Sequence, residues 1–115
     1  MRAQLTFQGM KVSGELRQDV EDRVAWLEQF YPQMIGCRVR LAVPHRHRGH
    51  GRHMHVHIEM SVPGGEPIVI DHEPSLELAE EHRYAHVAIR EAFDAARRRL
   101  QDFARAQRGD VKVHA

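Results

Sequence analysis

Apolar and polar residues alternate from Ala3 to Gln8, with Leu5 and Phe7 on one side and Gln4, Thr6 and Gln8 on the other. That period of two predicts a half-buried strand. The period then changes. Leu16, Val20, Val24, Leu27 and Tyr31 recur at steps of three or four, the stripe of an amphipathic helix. The predicted helix runs from about Gly14 to Phe30. Ser13 stands at the N-cap position, Glu15 lies in the first turn beside the positive helix end, and Pro32 forbids continuation. Alternation returns over Cys37–Val43, where Val39, Leu41 and Val43 oppose Arg38 and Arg40. After a Pro-, His-, Arg- and Gly-rich stretch from Pro44 to Gly51, a third strand sets Met54, Val56, Ile58 and Met60 against His53, His55, His57 and Glu59. Pro63-Gly64-Gly65 marks a turn, and Glu66–Asp71, with Ile68-Val69-Ile70, reads as a fourth strand in a hairpin with the third.

The remainder is helical. Ile89, Ala92, Phe93, Ala96, Leu100 and Phe103 form its stripe, and Gly109 marks the predicted end. One straight helix from Ser75 would be about 51 Å long, against roughly 35 Å for a compact domain of this length. A short acidic helix or turn at Ser75–Glu81, a bend, and a main helix from about Arg83 are therefore expected. The prediction is one domain over residues 1–109 with a flexible tail at 110–115. The order β-α-β-β-β-α, with a right-handed crossover, gives an α+β fold: a four-stranded mixed sheet with both helices packed on one face. The other face is left to solvent, carrying Arg38, Arg40, His53, His55 and His57.

At 115 residues, 42% hydrophobic and 29% charged, the composition is that of an ordinary globular domain. The single cysteine, Cys37, excludes an intramolecular disulfide and fits a reducing compartment. No signal-peptide pattern and no apolar span of membrane length is present, so a cytoplasmic protein is expected. The net charge of +1 conceals alternating blocks. Gly14–Gln29 sums to −3, Ile35–Met60 to +4, and Arg83–Arg108 to +4, while Glu66–Glu81 holds six acids and no lysine or arginine. Such blocks suggest an oriented electrostatic face.

Several segments together resemble the ribosome hibernation promoting factor and ribosome-associated inhibitor family, also called the S30EA or sigma-54 modulation family. Gln8-Gly9-Met10-Lys11-Val12-Ser13 resembles its first strand and capped helix entry. Leu16-Arg17-Gln18 and Glu21–Glu28 resemble its first helix, and Val87–Phe93 through Arg98-Arg99-Leu100 its last. The chain departs from the family where Ala95 and Asp102 stand at places often held by lysine, and where Trp26 replaces a frequent basic residue. The resemblance covers residues 3 to 107 and implies a dsRBD-like fold. It also implies a non-enzymatic translation inhibitor without cofactor or small-molecule substrate, docking in the mRNA and tRNA channel of the small ribosomal subunit under stress.

Arginine pairs with phosphate bidentately, and each contact releases counterions. On the last helix Arg90, Arg97, Arg98, Arg99 and Arg105 are the candidate rRNA contacts, with Arg90, Arg97 and Arg98 roughly on one side. Arg17 and Arg23 on the first helix follow from the resemblance, and Arg38 and Arg40 from the open sheet face. His53, His55 and His57, about 7 Å apart in successive pairs, offer a secondary RNA-facing surface whose binding would tighten in acid. Two alternatives remain at this point. The three histidines could form a metal-binding or metal-sensing module, or the acidic segment Glu66–Glu81 could serve protein interaction. No nucleophile triad, P-loop or dinucleotide fingerprint occurs, and Cys37, without a general-base partner in sequence, reads as a structural thiol.

Overall fold

The computed structural model describes residues 1–43, 54–73 and 81–113. Four strands, β1 (Arg2–Gln8), β2 (Gly36–Ala42), β3 (His55–Ser61) and β4 (Ile68–His72), join two helices, α1 (Gly14–Phe30) and α2 (Glu81–Val113), in the order β-α-β-β-β-α. The strands lie side by side as β1-β2-β3-β4. The β1–α1–β2 crossover makes β1 and β2 parallel, with Leu5 beside Val39; β3 runs antiparallel to β2, and β4 antiparallel to β3. This is the predicted fold.

Helix α1 begins where its cap requires. Ser13 is extended (φ −120°), and its hydroxyl accepts the Leu16 N–H at 3.2 Å. The helix ends at Tyr31, whose N–H reaches the Leu27 carbonyl at 2.8 Å. All five residues of its predicted stripe are buried. The sheet answers with Cys37, Val39 and Leu41 from β2, Val56, Ile58 and Met60 from β3, and Ile68 and Ile70 from β4. Helix α2 supplies Ile89, Ala92, Phe93, Ala96 and Leu100. Each such large side chain withdrawn from water contributes about 1.5–3 kcal/mol before the entropy of ordering is subtracted. Among the described residues no buried side-chain nitrogen or oxygen lacks a partner.

Helix α2 begins within two residues of the expected Arg83, but its buried stripe and its end differ from expectation. Tyr84, Ala85 and Ala88 are buried, so the apolar stripe starts five residues, about one and a half turns, before Ile89. The helix also runs through Gly109 to Val113, a length of 33 residues, instead of stopping at Gly109. At about 1.5 Å per residue it spans roughly 50 Å, in a molecule measuring 58 × 24 × 19 Å. The compact-sphere estimate failed because the molecule is elongated along this helix. The Pro44–Gly51 stretch, His53 and the Ser75–Glu80 part of the expected acidic turn lie outside the described residues.

Candidate nucleic-acid interface

Both helices cover one face of the sheet, which leaves three surfaces for ligands: the outer side of α1, the outer side of α2, and the open sheet face. Their arginines differ in how much of their hydrogen-bonding capacity is already spent.

On α1, Arg23 Nε donates to Asp19 Oδ1 at 3.3 Å, and the other oxygen of Asp19 lies 2.6 Å from His86 Nδ1 on α2. Arg17 holds its guanidinium 5.7 Å from the centre of the Phe7 ring. The helix carries five acids against these two arginines, so its outer side is not a cationic surface.

On α2 the arginines divide. Arg97 is turned toward α1, its guanidinium 5.4 Å from the Trp26 ring centre and 4.8 Å from that of Phe30. Trp26 and Phe30 are one helical turn apart and so form a joint platform. Arg99 leans the other way and donates to the Val69 carbonyl at 3.5 Å. Arg90, Arg98 and Arg105 are exposed, and among the described residues they have no ion pair. Arg108, which is not among the candidates read from the sequence, joins them. Arg90 to Arg108 holds six arginines and three acids, hence 6 − 3 = +3. The three exposed guanidiniums Arg98, Arg105 and Arg108 lie in the C-terminal half, with Asp94 and Asp102 interrupting the array.

The open sheet face places Arg38, Arg40, His55 and His57 together as predicted. The strand register also brings carboxylates to them. Arg38 is 3.3 Å from Glu59, its neighbour across β2 and β3. His57 is 3.4 Å from Asp71, its neighbour on β4, and His55 is 3.7 Å from Glu73. Arg40 has no such partner among the described residues and lies between the shallow hollows of this face. With neutral histidines, Arg2, Arg38 and Arg40 balance Glu59, Asp71 and Glu73 at 3 − 3 = 0. Among the described residues no three metal-ligating side chains converge, and the two described histidines of the trio each face a carboxylate instead of one another.

Two further clasps were not visible in the sequence. His72 Nε2 lies 3.0 Å from Glu91 Oε1, tying β4 to α2. The Gln107 side chain accepts from the Tyr31 hydroxyl at 3.3 Å and donates to the Pro63 carbonyl at 3.1 Å. Separations of 19, 76 and 44 residues put these contacts beyond any local pattern. Burial pushes the Cys37 thiol up to about 12, consistent with a structural role.

The profile of the sigma 54 modulation protein / S30EA ribosomal protein family matches residues 3–108. The chain belongs to this family. Membership makes it a ribosome-associated modulation protein and bears out the resemblance carried by the first and last helices. The architecture agrees with it. A ribosomal subunit interface protein from Coxiella burnetii superposes with a TM-score of 0.70 at 14% identity, over 90% of this chain and 98% of that one. The N-terminal domain of Protein Y from Thermus thermophilus does so with a TM-score of 0.63 at 19% identity, over 87% and 94%. At such identities the likeness carries the fold alone. A search of curated proteins with the sequence finds no match. Among the described residues, no helix of this S30EA-family chain is long and apolar enough to cross a membrane.

Proposed function

We propose that this S30EA-family protein is a non-enzymatic cytoplasmic hibernation factor, which docks in the mRNA and tRNA channel of the small ribosomal subunit under stress and blocks translation. The observation that carries this reading is the row of exposed arginines on α2, Arg90, Arg98, Arg105 and Arg108, without an ion pair among the described residues and displayed by a fold whose family is ribosome-associated. Guanidiniums held by no carboxylate are free to grip phosphate, and the rigid helix fixes their spacing. Arg40 on the open sheet face supplies a secondary contact beside His55 and His57. Arg17, Arg23, Arg38, Arg97 and Arg99 act from within the protein's own contacts, so their part in RNA binding is the smaller one.

Co-sedimentation with purified small subunits at two salt concentrations tests this. Four phosphate contacts predict a loss of about 50- to 150-fold in affinity between about 50 and 200 mM salt. Replacing Arg90, Arg98 and Arg105 by glutamine should flatten the salt dependence by about one unit of slope per arginine. Failure to co-sediment, or association indifferent to salt, refutes the reading.

A further inference from the structure

The C-terminal end of α1 and the C-terminal half of α2 enclose a groove of about 510 Å³, within the range of about 300–1,000 Å³ that small-ligand clefts occupy. Its two walls differ chemically. On the α1 side stand Phe30 and Pro32, with Ala104 of α2 completing an apolar floor. On the α2 side stand Gln101, Arg105 and Arg108, and among the described residues no acid lines the groove. The α1 wall is electron-rich. A helix ends in carbonyls without intrahelical donors, and Pro32 has no N–H to offer Glu28. The last turn of α1 holds no basic side chain of its own, and the Arg97 guanidinium is held on the Phe30 ring, so the negative dipole end keeps its attraction for a donor. Phosphate is disfavoured on that wall and favoured on the other, about a groove's width away.

We propose that this groove takes one unpaired nucleotide of RNA, its base lodged against Phe30 and Pro32 and its phosphate on Arg105 and Arg108. The polarity matches. A base bearing an exocyclic amine, adenine or cytosine, donates to the carbonyl end of α1, whereas uracil lacks that amine. Phe30 is well placed for this part, because Arg97 braces the ring at 4.8 Å and Gln107 holds the adjoining Tyr31 hydroxyl at 3.3 Å. The groove is thus built before any ligand arrives, which lowers the cost of ordering it. This inference rests on the ribosome-binding reading above and specifies one of its contacts.

The test is an NMR titration of the ¹⁵N-labelled chain with three RNA tetranucleotides: all-adenosine, all-uridine, and an abasic chain with the same phosphates. Shifts concentrated at residues 28–33 and 101–108 are expected, with the abasic chain binding about 5- to 150-fold more weakly than the adenosine one, the worth of a single base stack, and uridine in between. Ala104→Trp fills the floor and should abolish the difference between the adenosine and abasic chains. The double variant Arg105→Gln/Arg108→Gln alters only exposed side chains and should weaken all three, which decides the matter if the tryptophan variant does not fold. Equal affinity for adenosine and abasic chains, or shifts centred elsewhere, overturns the groove. Small-subunit co-sedimentation run in parallel separates the two levels: subunit binding with a failed titration removes the groove alone, and loss of both removes the function beneath it.

Discussion

Replacing Arg97 by alanine tests whether this arginine is a brace or a phosphate contact. Its guanidinium stands 5.4 Å from Trp26 and 4.8 Å from Phe30, and it is the link between the outer edges of the two helices. Each cation–π contact at a partly exposed site contributes about 0.5–1 kcal/mol, so removing both costs about 1–2 kcal/mol, with some further loss from the aliphatic stem that covers the rings. Against a total stability of about 5–15 kcal/mol that is a measurable fraction. Near 4 °C per kcal/mol for a domain of this size, it corresponds to a fall in Tm of about 4–8 °C. The control is Arg98→Ala, one residue along, exposed and without a partner among the described residues, which should stay within about 0.5 kcal/mol of the parent. Arg97→Lys keeps the charge and loses the planar stack, so it should fall between them. Urea denaturation measures all three, and a double-mutant cycle with Trp26→Ala isolates the pairwise part. If Arg97→Ala proves no less stable than Arg98→Ala, or the cycle shows no coupling, the brace is wrong and Arg97 returns to the list of phosphate contacts.

Other outcomes follow from single features. Gly9 has φ +72°, and a Cβ there would run into the Val43 carbonyl oxygen, so Gly9→Ala should cost about 2 kcal/mol or more in chemical denaturation. Cys37, with its thiol raised from 9.0 to about 12 by burial, should resist alkylation in the native state and react once unfolded. The raised value means the fold holds the proton that the unfolded chain releases. Stability is therefore intact below about pH 9 and falls as the solution climbs toward pH 12, and Cys37→Ala should lose less stability over that interval. If the sheet face meets RNA, Arg40→Gln, at an arginine with no ion pair among the described residues, should weaken small-subunit co-sedimentation and lower its salt slope by about one. Unchanged binding removes the sheet face from the interface.

How far the sequence could be read depended on the range of the interactions involved. Alternation and helical spacing are properties of neighbouring residues, so β1 to β4 and α1 were legible to within a residue or two, and the Ser13 cap to the residue. The start of α2 was also read within two residues, but its far end was not, because Gly109 was treated as a stop. A lone glycine costs a helix only about 1 kcal/mol, less than the surrounding turns return. For the candidate interface, the sequence placed Arg38, Arg40, His55 and His57 on one open sheet face, where the strand register puts them. It could not show which arginines were already occupied. Arg38 meets Glu59 only because of the β2–β3 register, and Arg97 reaches Trp26 only because α2 packs along α1. The groove was invisible for the same reason, since its walls come from segments about seventy residues apart in the chain.

Asp19 carries a consequence of its own. One carboxylate restrains Arg23 through one oxygen and His86 through the other, so the joint that locks the helices together is also what keeps a guanidinium away from solvent. Asp19→Asn would loosen that joint and at the same time release Arg23 to any passing polyanion. Holding two helices together and holding a cation in reserve are thus tasks of a single carboxylate, and neither can be altered there without the other.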